Sequence, residues 1–341
     1  MGRTRWAYLA AIFSCWGWAS LYPGSELVLD EVGPFIVVWA RAAVAGLALA
    51  LLTCVRARGV RAGLLRLRDE IRAQPIALLV LGTLAFGVTS SFSVSSQVFL
   101  AASIAALLVG IGPLWLALGA ALLGHAAQPR YLVGGSLLAC VGVGVVVLGQ
   151  DTSGAGTPWW MLLVTADWRG VALALTGSVA IAASMLLARR VLAGRDAVAI
   201  TAVACCWAAL LLIPVILVAG QGFSQVFVAS RSTHLILVYL GLGSTAFNFA
   251  LWYFALSQLP ITRIAHFQYL VPLLGVLLSV LILGEPLTAS LVVGGGAILV
   301  GIIVAQRGAG SAPRQAGAGQ AAAGVSVAPL PAASPSEARL Q

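Results

Sequence analysis

The sequence predicts an all-α integral membrane protein whose ten transmembrane helices form two inverted five-helix repeats. Three observations predict this: composition, the recurrence of long apolar runs, and the placement of arginine. The chain has 341 residues, of which 61% are hydrophobic and only 9% charged, with a mean hydropathy of +1.03. Soluble domains carry about 25% charged residues, so this chain lacks the polar surface that a soluble globule needs. A soluble enzyme, a disordered chain, a coiled coil and a disulfide scaffold are thereby excluded.

A spanning helix needs about 20 mostly apolar residues. Such runs fall at roughly 6–22, 34–55, 75–93, 98–123, 131–149, 170–188, 197–219, 235–254, 264–283 and 289–306. Most breaks carry turn formers or charge: Tyr22-Pro23-Gly24, Gln74-Pro75, Gln128-Pro129-Arg130, Gln221-Gly222, Leu259-Pro260 and Glu285-Pro286. The third and fourth runs are separated only by Ser93 to Gln97. Met1 to Ser20 mimics a signal peptide, but Trp16-Gly17-Trp18 and the spans that follow favour an uncleaved first span.

Arginine placement sets the topology. The chain has no Lys, so all 19 basic residues are Arg. With a cytoplasmic N-terminus and alternating sides, 16 of the 19 fall inside, Arg169 and Arg231 fall outside, and Arg41 lies within the second span. An error of one span would scramble this asymmetry. Both termini are thus expected in the cytoplasm, with the protein multi-pass in the cell (plasma or inner) membrane. The net charge of +9 and pI near 10.1 do not indicate nucleic acid, because the arginines sit in short gaps between apolar runs. Cys15, Cys54, Cys140, Cys205 and Cys206 lie in apolar segments without metal-ligand spacing and read as small buried residues.

The domain division expected is a first repeat at 6–149, an outer loop at 150–169, a second repeat at 170–306 and a disordered cytoplasmic tail at 307–341. Trp159-Trp160-Met161 in the outer loop suits a membrane interface. The duplication is read from Leu123-Gly124-His125 against Leu283-Gly284-Glu285, Gly134-Gly135 against Gly294-Gly295, and Ile104-Ala105 against Ile264-Ala265, all at an offset of 160. Ala85-Phe86 and Ala246-Phe247 match at an offset one larger. Five spans per half force the second half to insert upside down. Inverted repeats generate inward- and outward-open states, with the binding site near midplane between the halves.

At these residues the chain resembles the EamA-domain branch of the drug/metabolite transporter superfamily. The matching features are Trp16-Gly17, Arg41, Ala101 to Leu108 followed by Gly112-Pro113-Leu114, Leu270-Val271-Pro272-Leu273, Leu283-Gly284-Glu285-Pro286-Leu287-Thr288 and Gly294-Gly295-Gly296. Each is weak alone; their order, spacing and duplication are more specific. The resemblance covers about 10–150 and 169–306 and implies export or exchange of amino acids, metabolites or drugs. His125 departs from the pattern, standing where the first repeat often carries an acid.

The candidate substrate-binding residues are Arg41, Asn248, His266, Trp252, Ser90 and Trp18. Arg41 lies about seven residues into its span, roughly 10 Å deep, where charge faces a cavity or a partner. It could bind a substrate carboxylate or phosphate, or pair with Glu26 or Glu31. Ser244, Asn248 and Trp252 share a face at i, i+4, i+8, and their polar atoms need either a substrate or helix-packing partners. Trp252 reads more readily as packing than as a site wall. Ser14 with Trp18, and Thr83 with Gly87 and Ser90, could line the cavity or let helices approach closely. His266, three residues after Arg263, could take a proton or make an interhelical hydrogen bond. Arg263 itself reads as a positive-inside anchor, and Glu285 as a cap or break between the last two spans.

No Asp or Glu lies deep in any span, which argues against coupling through an intramembrane carboxylate. No GxxxxGK[ST] loop supports nucleotide-driven transport. The reading is a non-enzymatic secondary transporter that exports or exchanges a small, polar or amphipathic metabolite by alternating access, without cofactor, metal or catalytic residues. Its partners are a small-molecule substrate and the lipid bilayer, with a homodimer left open. The alternatives are an integral membrane enzyme acting on lipid-linked substrates and a non-transporting membrane scaffold.

Overall fold

The computed structural model describes residues 2–122, 128–149, 167–259 and 265–308. His125, Arg263, Trp159-Trp160-Met161 and the tail from 309 lie outside the described residues. Among the described residues the chain is all helical, without strands. Seven helices are long and apolar enough to cross a membrane by length and composition: Pro34–Arg56, Pro75–Ser96, Arg130–Leu148, Trp168–Ala188, Ala197–Val218, Arg231–Ala255 and Ala289–Arg307. Ala102–Leu116 and Phe267–Leu283 are apolar but shorter.

The chain begins with α1 (Gly2–Ala19) and α2 (Leu21–Leu29). Tyr22-Pro23-Gly24, expected to end the first span, instead lies inside α2. Pro23 sits in the first turn of α2, where no backbone N–H is needed, so the proline does not stop the helix. Next come α3 (Pro34–Arg56), α4 (Val60–Ala73) and α5 (Pro75–Gly82). A π-helical turn, Thr83–Val88, leads into α6 (Thr89–Ser96). The break before the next helix falls at Gln97–Leu100, slightly later than the sequence suggests, because Leu100 N–H still bonds Ser96 O. Then follow α7 (Ala102–Val109), α8 (Gly112–Leu122), α9 (Pro129–Leu148), α10 (Trp168–Val191) and α11 (Ala197–Val218). The short α12 (Ser224–Val228) precedes α13 (Arg231–Gly241), a second π-helical turn (Leu242–Phe247) and α14 (Asn248–Gln258). A 3₁₀ turn, Ala265–Tyr269, opens α15 (Leu270–Leu283), and α16 (Ala289–Gly308) completes the described chain. Gly284 ends α15 in the left-handed region at φ +70°, a conformation that a side chain makes costly.

Two helix pairs hold the bundle together. The α9 and α16 helices run antiparallel at backbone contact, an approach that only glycine permits. A Cβ on Gly142 would lie 2.6 Å from Gly294 O, and one on Gly301 would lie 2.5 Å from Ala139 N. Seven-residue spacing repeats on both helices, Gly135 and Gly142 facing Gly301 and Gly294. The α3 and α11 helices also run antiparallel: Gly46 faces Cys206, and toward the helix ends Arg56 pairs with Asp196 at 3.5 Å. Asp196 also caps α11 through the Val198 and Ala199 N–H groups. Arg195 adds a bond to Glu70 at 2.6 Å, tying α4 to the start of α11.

The two π turns begin 159 positions apart, at Thr83 and Leu242. The glycines that precede them, Gly82 and Gly241, are 159 positions apart. Gly82 packs on the Ala204 carbonyl of α11, and Gly241 on Val44 of α3, positions that are themselves 160 apart. A π turn carries an extra residue, so Ser244 and Asn248 are not related by a regular helical turn. All three residues expected on one face are nonetheless buried: Ser244 fully, Asn248 at 1% exposure and Trp252 at 8%.

Candidate functional site

Arg41 of α3 is buried at 9% exposure, and its Nη2 donates to Ser90 Oγ of α6 at 2.5 Å. Tyr22 of α2, which bonds Ser93, and Cys205 of α11 lie near enough to interact with it electrostatically. The described residues form two ion pairs, Arg56–Asp196 and Arg195–Glu70, and Arg41 is in neither. Neither acid weighed as its partner forms an ion pair with it. Glu31 accepts from Ser230 N–H at 2.6 Å and Ser230 O–H at 2.7 Å. Glu26 has a buried Oε2 without a hydrogen bond. A guanidinium stripped of water without a counter-charge costs several kcal/mol. A small anion entering from solution would relieve it.

Asn248, at the first turn of α14, packs its amide against the bare backbone of Gly17, where a Cβ would come within 2.5 Å of Asn248 Oδ1. Its Nδ2 is buried without a partner. Around it the hydroxyls of Ser14 and Ser20 are satisfied. Ser14 Oγ donates to Ala10 O and Asn248 O. Ser20 Oγ bonds Gly17 O, Tyr239 Oη and Ser244 Oγ at 2.8–3.0 Å. The free Nδ2 is therefore a donor held open among closed ones.

An aromatic wall adjoins Asn248. Trp18 meets Trp252 edge-on at 5.0 Å and Phe249 at 5.6 Å. Phe249 continues to Phe86 at 5.4 Å and Tyr253 at 5.9 Å. Tyr253 Oη bonds Thr201 Oγ1 at 2.7 Å, one helical turn from Cys205 on α11. The structure thus brings Arg41 to Ser90, and Trp18 to Trp252 and, through Gly17, to Asn248. The His266 side chain lies outside the described residues; its 3₁₀ turn rests on α1, where Cys15 Sγ donates to Phe267 O at 3.1 Å. Sequence reasoning did not single out Tyr22, Cys205, Phe249, Phe86, Tyr253 or Thr201. The one available signal was Ala85-Phe86 repeating as Ala246-Phe247, an aromatic residue that falls within each π turn.

At the end of the bundle away from most arginines, Glu285 reaches across the chain rather than capping its own break. Its carboxylate accepts the Ala102 and Ser103 N–H groups at 2.8 and 3.1 Å, capping α7. Glu26, beyond the predicted first span, lies near enough to feel this charge. Burial pushes the Glu26 carboxyl up to about 7, with Glu285 and Asp30 adding to the rise. A carboxyl raised on folding binds more protons in the folded state, so stability is lost as pH rises from its ordinary value through about 7. Thermal melts from pH 5 to pH 8 are therefore expected to fall, and Glu26→Gln to flatten the curve by about 2–4 °C at the alkaline end. A slope unchanged by E26Q would show that Glu26 is not the group responsible.

Residues 168–306 match the EamA-like transporter family. Over 315 residues the chain is 28% identical to a protein of Streptantibioticus cattleyicolor named a probable terminal-alkyne amino-acid exporter, covering 90% of this chain and 94% of that one. An uncharacterized transporter of Archaeoglobus fulgidus is 22% identical over 305 residues, covering 89% of this chain and 99% of its own. A protein of known crystal structure shares the fold with a TM-score of 0.59 at 22% identity, covering 88% of this chain and 96% of that one. Residues 168–306 thus resemble an EamA-like transporter unit, and the chain that carries them is, by the length and composition of its helices, a multi-pass membrane protein whose relatives are named as transporters.

Proposed function

We propose that this transporter exports small amphipathic carboxylates, of the apolar amino acid kind, by alternating access between two inverted five-helix repeats. The observation that carries the substrate class is Arg41: a buried guanidinium beside Ser90 with no carboxylate partner among the described residues. A substrate carboxylate would complete it with charge-assisted bonds. The wall of Trp18, Trp252, Phe249 and Tyr253 suits an apolar body, and Asn248 Nδ2 a second polar group. The exporter name of the Streptantibioticus relative agrees in class and direction.

Four features support the inverted-repeat reading. Helices at corresponding places, α3 with α11 and α9 with α16, run antiparallel. The π turns match at an offset of 159. Their preceding glycines make matching contacts. Ten spans with both termini cytoplasmic fit the arginine distribution. In this reading the first half, 6–149, is the counterpart of 170–306. Because π turns mark sites where helices bend or bind, the third and eighth spans are where the two halves change orientation.

Counterflow in liposomes tests the substrate class. Saturable exchange of labelled apolar amino acids, competed by free acids but not by their methyl esters, is expected. Equal competition by acids and esters would remove the carboxylate from the reading. Counterflow that depends on a pH gradient would add proton coupling, with Glu26 and His266 the groups to replace first.

A further inference from the structure

The helix α4, which joins α3 to α5, presents two unlike faces. Its inward stripe is Gly63, Leu67 and Ile71. Gly63 lies against the Cys54 backbone, too close for any side chain, while Leu67 and Ile71 pack into the core. Glu70 on the same side is held by Arg195. The outward stripe is Val60, Arg61, Leu64, Leu65 and Arg68, which together form one open, nearly flat surface. Val60, Leu64 and Leu65 are 66, 57 and 45% exposed, and no part of the described chain covers them. Arg61 and Arg68 are two turns apart and so point to the same side. Along this stretch Arg58, Arg61, Arg66, Arg68 and Arg72 have no ion-pair partner among the described residues. Such a stripe fits neither water, which its leucines avoid, nor hydrocarbon, which its guanidiniums avoid. It fits the layer between them, where a helix lies in the membrane plane with apolar residues down and arginines at headgroup level.

We propose that α4 is an interfacial helix that binds an anionic phospholipid, with Arg61 and Arg68 on its phosphate and Val60, Leu64 and Leu65 against its acyl chains. The uncompensated positive charge favours an anionic headgroup over a zwitterionic one. Arg68 and Leu65 cover the side of α4 opposite Glu70, so bound lipid would press α4 onto its ion pair with Arg195 and steady the junction of α3 with α11. This inference is independent of what is transported.

The test uses full-length protein reconstituted in phosphatidylcholine mixed with phosphatidylglycerol, extracted gently, with retained lipid counted by native mass spectrometry. Phosphatidylglycerol is expected to be retained in preference to phosphatidylcholine. The double variant Arg61→Gln/Arg68→Gln is expected to lower that preference about twenty-fivefold, at about fivefold per arginine. Leu64→Gln/Leu65→Gln should weaken retention of both lipids. Arg130→Gln, elsewhere on the surface, should change neither. Equal retention of the two lipids by the native protein, or an undiminished preference in the double arginine variant, would overturn the proposal. If that variant melts early, the native protein decides alone: raising salt during extraction should erase the preference, and a salt-independent preference would overturn it.

Discussion

Replacing Arg41 by methionine is expected to lower transport of a carboxylate substrate about a hundredfold while leaving the protein folded in the membrane. Truncating one partner of a buried charged pair costs about 2–5 kcal/mol of binding, and about 3 kcal/mol corresponds to that loss. Stability should move the other way. In the free protein Arg41 is buried with Ser90 as a neutral partner and no counter-charge, so a methionine of similar length removes a desolvation cost without breaking an ion pair. The melting temperature should therefore hold or rise. Arg41→Lys keeps the charge but loses the planar fork that meets a carboxylate with two bonds, and should transport at an intermediate rate. Loss of transport with loss of folding would mark Arg41 as structural. Undiminished transport by the methionine variant would remove it from the site.

Gly142→Leu is expected to destabilise the protein by about 3 kcal/mol or to prevent its accumulation. The would-be Cβ lies 2.6 Å from Gly294 O and 2.7 Å from Ile298 N, and backbone of a packed helix has no rotamer by which to yield. Gly294→Leu should do the same from the facing helix, where the nearest backbone atom is Gly142 O at 2.8 Å. Gly144→Leu, on the same helix with nothing within 4 Å, is the matched control and should be tolerated. Monodispersity in detergent and the melting temperature read the difference. Equal behaviour of the 142 and 144 variants would show that α9 and α16 do not depend on glycine contact. The two damaging substitutions share one contact, so their combined cost should fall short of the sum.

Arg41, Ser90, Trp18 and Trp252 stood out as polar or aromatic residues in apolar runs, and the structure joins them in two pairs. The face read through Ser244, Asn248 and Trp252 assumed a regular helix, and the π turn at Leu242–Phe247 breaks that spacing, although burial keeps all three inward. Glu285 was legible as a helix-end residue, but its partners, Ala102 and Ser103, are 183 and 182 positions away. No local pattern could have paired them.

By itself the sequence determined that this is a helical membrane protein, where most of its apolar runs lie, and which end of the bundle carries the arginines. Those properties are set by hydration: each residue's cost of leaving water is intrinsic to its side chain and adds along a run of about 20 residues. Tertiary structure alone decided that Pro23 continues a helix, that Glu285 caps α7, and that Arg41 meets Ser90 rather than an acid. It also decided that α9 meets α16 glycine to glycine. In lipid, surrounding hydrocarbon is as apolar as leucine, so hydropathy does not say which helix faces which. That choice is made by close packing and by the pairing of scarce polar groups, both of which depend on residues far apart in the chain.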